Sequence, residues 1–186
     1  MIRRFLRALG RDRRGTLAVE AAMAVPVLAV LLLGGVEITR FVLLNQKLER
    51  TSATVADLVS RSEKLYAAEL PTVFIAAGFT FDPFDLADDG RVIVSSIYKT
   101  SGTPARVVWQ RAYGAGSGSS TFGVQGANAV LPAGFVVRDG ENVIVSETFF
   151  DFVPLFTGDM VGVLEARTLY TYSLMRPRFA PLTVLY

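Results

Sequence analysis

The chain contains no cysteine and no histidine. Without cysteine there is no disulfide framework, no thiolate metal site and no thiol nucleophile, and the absence decides nothing about compartment. Without histidine the commonest general base and transition-metal ligand are missing, and a Ser-His-Asp triad is impossible. The sequence therefore predicts no enzyme, and neither a cofactor nor a small-molecule substrate is expected. Two further patterns fall short of a site. Asp82, Asp85, Asp88 and Asp89 precede Gly90, but an EF-hand's spacing and its twelfth-position glutamate are absent, so the stretch reads as a solvated turn and no metal is expected. The glycine- and serine-rich stretch Gly114–Gly126 lacks the Lys-Ser/Thr of a phosphate loop and reads as a mobile link between the second and third strands.

Charge is scarce where grease is abundant. Residues 1–15 hold six arginines against Asp12, a net +5 in a chain whose total is +2, so the remainder carries −3. Thr16 to Val36 follows with 21 residues and a single charge, Glu20. About 20 apolar residues cross a bilayer. Arginines placed before such a run read as the positive-inside signal rather than as a nucleic-acid patch, so no nucleic-acid partner is expected. They predict a single-pass anchor with its N-terminus in the cytoplasm. A secretory signal peptide fits less well, because the run exceeds the usual 7–15 apolar residues and no A-x-A-like site follows it.

Helical character continues past the run. Neither glycine nor proline interrupts residues 36–68, and Ile38, Phe41, Leu44, Leu48, Val55, Leu58 or Val59, and Leu65 recur at helical spacing. One long helix over residues 16–66 is predicted, apolar all round in its first half and striped in its second. Pro26 removes one backbone hydrogen bond within the apolar half, where a kink is expected. Beyond it, residues 67–81 suggest a short amphipathic helix with Pro71 near its first turn. Four runs rich in β-branched and aromatic residues then read as strands: Arg91–Lys99, Ala105–Tyr113, Asn142–Phe150 and Val163–Leu174. An antiparallel sheet of these strands would cover the helix stripe. Trp109, Phe149, Phe152, Tyr170 and Tyr172 are expected in its core or on its faces.

Glycine, glutamate and proline fall in a telling order. Gly15 ends the basic leader, Glu20 is the fifth residue after it, and Pro26 follows in the same stretch. This start resembles type IV pilin-like proteins, and more narrowly TadE-like proteins of the Tad (Flp-type) pilus system. Gly35, Glu37 and Arg40 resemble the Gly, Glu, Arg pattern at their helix exit. "NVIVSETFFDFVPLF" and "YSLMRPR" are similar to their strand, aromatic-Pro-Leu segment and final Arg-Pro-Arg. The resemblance implies a pseudopilin of the bacterial inner membrane, with its C-terminal domain in the periplasm or incorporated in the pilus. It implies other pilin-like subunits and the Tad assembly machinery as partners. A prepilin peptidase would cut between Gly15 and Thr16, and Glu20 would set subunit register against a neighbour's new amine. Processed members usually carry an aromatic residue after the glutamate, where this chain has Ala21.

The predicted fold class is α+β, a transmembrane helix continuing into a small antiparallel-sheet, pilin-like domain. Its parts are a leader (1–15), the transmembrane helix (16–36), its amphipathic extension (37–68) and an extracytoplasmic domain (69–186). Two plainer readings stand beside the pilin-like one. Glu20 reaches the headgroups or pairs with Arg13 or Arg14 of its own chain, and the protein is an uncleaved anchor carrying a binding or sensory domain.

Overall fold

A computed structural model describes residues 14–155 and 165–186. The leader arginines Arg3 to Arg13, and Val163 at the expected start of the last strand, lie outside the described residues. The fold is α+β. Helix α1 spans Arg14–Ser60 and α2 spans Leu70–Phe81, and the strands are β1 (Gly90–Tyr98), β2 (Arg106–Tyr113), β3 (Asn142–Phe152) and β4 (Arg167–Met175). The chain divides into two units. One holds the residues up to Arg40 with Pro154–Glu165, and the other holds Phe41–Val153 with Ala166–Tyr186.

In the second unit the sheet runs β2-β1-β3-β4, antiparallel throughout. β1 and β3 are central and almost wholly buried, so both faces of the sheet must be covered. One face meets α1 and α2. Leu44, Leu48, Val55, Ala56 and Val59 of α1 are buried, the Phe41 ring meets Phe152 edge-on at 5.4 Å, and the Ser52 hydroxyl donates to the Ser146 carbonyl at 2.7 Å. The expected stripe is thus largely the buried one, with one correction: Ile38 is 48% exposed. Of the two alternatives, Val59 faces inward and Leu58 does not. Pro71 lies in the first turn of α2, where a missing N–H costs nothing. Phe81 of α2 packs on Phe150, and Phe74 stacks on Tyr113.

Helix α1 stops at Ser60, six residues short of the predicted end at Tyr66. Long-range partners end it. The Ser60 carbonyl accepts the Arg178 N–H at 3.0 Å, while Leu65 and Ala67 exchange backbone hydrogen bonds with Tyr186. The Arg178 guanidinium also reaches Asp57 at 2.8 Å. A helical path for residues 61–66 would forfeit these bonds, and no sequence periodicity encodes them.

The other sheet face is covered by the segment between β2 and β3, which corrects the mobile-link expectation for Gly114–Gly126. Phe122 is buried there with Ile97, Val107, Val143 and Val145. Two acids on that face of β3 hold the loop down. Glu147 accepts hydrogen bonds from the Ser120 hydroxyl, the Thr121 N–H and hydroxyl, and the Tyr170 hydroxyl. Burial and the neighbouring Glu147 charge raise the Tyr170 phenol above its ordinary value of 10.0, although a bond from Thr121 opposes them. Asp151, four residues on, accepts from the Ser117 N–H at 2.7 Å, the Ser117 hydroxyl, and Thr168 at 2.7 Å. The glycines serve close approach. At Gly114, with φ +94°, a Cβ would fall 2.2 Å from the Gly90 carbonyl oxygen, and at Gly118 one would strike the Phe149 ring.

Burial opposes ionisation of Asp151, yet the donors from Ser117 and Thr168 prevail and hold its carboxyl below the ordinary 3.8. A carboxylate depressed on folding stabilises the fold fully above its unfolded value. That contribution disappears as pH falls through the lower folded value. Unfolding midpoints recorded from pH 6 downward should therefore drop more steeply below about pH 4 in the natural protein than in Asp151→Asn. Identical slopes would show that this acid does not couple folding to pH.

Candidate functional site: the apolar helix and its carboxylates

Between Leu17 and Leu32 of α1, nine large apolar side chains are 42–72% exposed. Covering them is worth on the order of 10 kcal/mol, a driving force that nothing among the described residues satisfies. By length and composition α1 can cross a membrane, with a mean hydropathy of 2.3 over its apolar window. The helix continues without a break through Pro26. Its apolar half is rich in Ala, Leu and Val, and a side-chain face pointing all round suits lipid or other helices rather than a soluble core.

Gly15, Thr16 and Glu20 lie in the first turns of α1. Thr16 and Glu20 are four residues apart and so share one helix face. A Cβ at Gly15 would meet nothing within 4 Å, so that stretch of backbone is open. Glu20 is exposed among the apolar side chains and has no ion-pair partner among the described residues. A carboxylate so placed costs a few kcal/mol in a bilayer until it finds a cation or an interface.

At the other end of the run, Glu37 is buried at 2% exposure. Its Oε2 accepts the Leu155 N–H at 3.0 Å. Its Oε1 makes no hydrogen bond and faces the Arg40 guanidinium at 3.9 Å. The structure thus joins two stretches that the sequence holds 118 residues apart: the Gly-Glu-Arg helix exit and the Phe-Val-Pro-Leu segment after β3. Of the neighbouring glycines, Gly35 is exposed and open, whereas Gly34, three residues before Glu37, is buried. Spacing alone could have marked Gly34, because i and i+3 share a helix face. The third motif, "YSLMRPR", supplies the Arg178 that clamps the end of α1 through Asp57.

Residues 15–57 match the family model for TadE-like proteins. Over that stretch α1 is similar to TadE-like proteins. The matched stretch begins at the glycine that closes the basic leader and ends at the aspartate held by Arg178. It covers α1 and none of the sheet. No curated protein and no solved structure matches the chain. The stretch similar to TadE-like proteins is thus also the helix long and apolar enough to cross a membrane.

Neither Glu147 nor Asp151 has a role of its own in any sequence motif. A signal existed: Val143, Val145, Glu147, Phe149 and Asp151 alternate onto one sheet face. An acid in register with core valines marks either a buried partner or a fold boundary.

Proposed function

We propose that this protein is a membrane-anchored, TadE-like component of a Tad-type pilus system, acting in assembly by packing α1 against the apolar helices of other pilin-like subunits. One observation carries the reading. The apolar first half of α1, exposed all round from residue 15 to 32, bears a single carboxylate, Glu20, five residues after the glycine at which the TadE-like match begins. The bacterial inner membrane is its site, with the arginine-rich leader cytoplasmic and the sheet domain periplasmic. Cleavage by a prepilin peptidase after Gly15 would create an amine on Thr16. In an apolar medium an amine and a carboxylate on adjacent subunits offset each other's desolvation, which fixes helix register as well as association. Glu37 and Arg40 have a different part. They hold Leu155, in the segment after β3, to the helix.

Intact mass of the membrane-extracted protein, from cells with and without prepilin peptidase, tests the processing step. A peptidase-dependent start at Thr16 is expected. A chain that keeps its leader in both strains overturns processing, makes the arginines a permanent cytoplasmic clamp, and leaves Glu20 without a cationic amine to face.

A further inference from the structure

The two edges of the sheet differ. On β2, Val107 exchanges backbone bonds with Gly126 and Ala127, and Ala105 just before the strand accepts from Ala129. Farther along, the Gln110 carbonyl accepts the Arg111 guanidinium, and the Gln110 side-chain amide donates to the Gly123 carbonyl. On the other edge, β4 pairs with β3 over nine consecutive residue pairs without a bulge. Among the described residues, nothing hydrogen-bonds to the outer side of the β4 backbone. A free strand edge is a row of unpaired N–H and C=O groups, usually blunted by lysine, proline or a bulge. Residues 168–175 contain no charge and no proline.

Two features beside this edge select its occupant. The first is a cavity of about 380 Å³ at the Met175 end, lined by Phe135, Val143, Leu174, Met175 and Arg176. Its walls are apolar and its one charge is cationic. The second is a pair of arginines that brackets the uncharged stretch. Arg167 lays its guanidinium over the Phe41 ring at 4.8 Å and meets no carboxylate among the described residues. Arg176 reaches Glu141 at 3.4 Å and leaves 56% of its side chain exposed. The two lie nine residues apart, so on a strand they belong to opposite faces of the sheet. A second copy of β4 fits this edge badly. Paired antiparallel, it would bring Arg167 of one copy to within about one residue of Arg176 of the other at both ends, and like charges across a strand pair destabilise it.

We propose that β4 accepts an extended segment of a different protein as a fifth strand of the sheet, uncharged and β-forming through its middle and acidic at both ends. The occupant must be polypeptide, because alternating N–H and C=O groups at strand spacing are matched by another backbone. Backbone pairing supplies attraction without regard to sequence, whereas the pockets and charges beside an edge supply selectivity. Here an apolar side chain of the incoming strand fills the cavity beside Leu174. Its two acids meet Arg167 on one face and Arg176 on the other. A strand with basic ends would meet those arginines as like charges and be rejected.

The test uses the full chain in detergent and two fluorescent peptides of alternating valine and threonine. One carries glutamates spaced as Arg167 and Arg176 are, and the other carries lysines at the same places. Anisotropy should show the glutamate peptide binding about tenfold or more tightly than the lysine peptide. Amide hydrogen exchange should slow on its addition at residues 167–175 and not along β2. The chain carrying both Arg167→Glu and Arg176→Glu should reverse the preference, with its folding checked by Trp109 fluorescence. Equal binding of the two peptides to the natural chain, binding of neither, or slowed exchange at another strand would each overturn the proposal. So would self-association of the natural chain that slows exchange at β4 without any peptide, since a second copy would then be the occupant.

Discussion

Replacing Glu20 with alanine is expected to abolish pilus formation while the protein still enters the membrane. The two halves of that result have separate physical origins. Removing a carboxylate from an apolar span lowers its insertion cost by about 3 kcal/mol, so loss of anchoring cannot explain a defect. What disappears is the one charge in the span able to answer an amine on a neighbouring helix. Glu20→Gln keeps the shape and the hydrogen-bonding capacity but not the charge, and should fail in the same way if the pairing is ionic. Piliation scored by electron microscopy, beside carbonate extraction, reads both halves. Normal pili in Glu20→Ala would mean that the acid only reaches headgroups or a leader arginine, and the register-setting role would be lost.

The second large effect concerns the fold rather than the membrane. Glu147 has no exposed surface, and its two oxygens answer one N–H and three hydroxyls. Glu147→Leu leaves these donors facing an alkyl chain. Hydroxyls can turn toward other acceptors, but the Thr121 N–H cannot, and a buried orphan donor costs about 1–3 kcal/mol. With the loop's remaining bonds weakened together, a loss of about 3–5 kcal/mol is expected, a large share of the roughly 5–15 kcal/mol that holds a domain together. At about 2–4 °C per kcal/mol for a chain of this size, the melting midpoint should fall by roughly 10 °C or more. Glu147→Gln retains an acceptor for Thr121 and should lose less than half as much. Trp109, the single tryptophan, is buried with its indole N–H on the Leu182 carbonyl, so its fluorescence reports the transition in the detergent-solubilised protein. A Leu variant as stable as the natural chain would mean that the loop is held by Phe122 packing and not by the acid.

Periodicity made most of the architecture legible. The strands expected over 91–99, 105–113 and 142–150 lie within two residues of the observed ends, because β-branched runs bounded by glycine, proline and aspartate carry their own limits. Among the described residues the last strand spans Arg167–Met175, and its expected start at Val163 lies outside them. The apolar helix was still plainer, since 21 residues with one charge admit few other solutions. Boundaries set by distant partners were not legible. The end of α1 depends on Arg178 and Tyr186, more than a hundred residues away, and a local pattern has no means of registering them.

Glycine content misled in one instance for a physical reason. Gly114–Gly126 looks flexible as a string, since glycine and serine restrict an unfolded chain least. In the folded protein Gly114 and Gly116 permit close approach to the backbone at Asp89 and Gly90, and Gly118 to the Phe149 ring, where a Cβ would collide. Composition reports conformational freedom, whereas packing reports how that freedom is spent.

By itself the sequence determined an α+β chain with an apolar helix long enough to cross a membrane, the one acid in that apolar run, the inward stripe of α1 and the four strands. These follow from local hydrophobic period and charge, which every short window contains. Tertiary structure alone decided strand order, the pairing of Glu37 with Leu155, and the burial of Glu147 beneath a glycine-rich loop. Each joins residues far apart in the chain, and their proximity is fixed only when the whole fold closes.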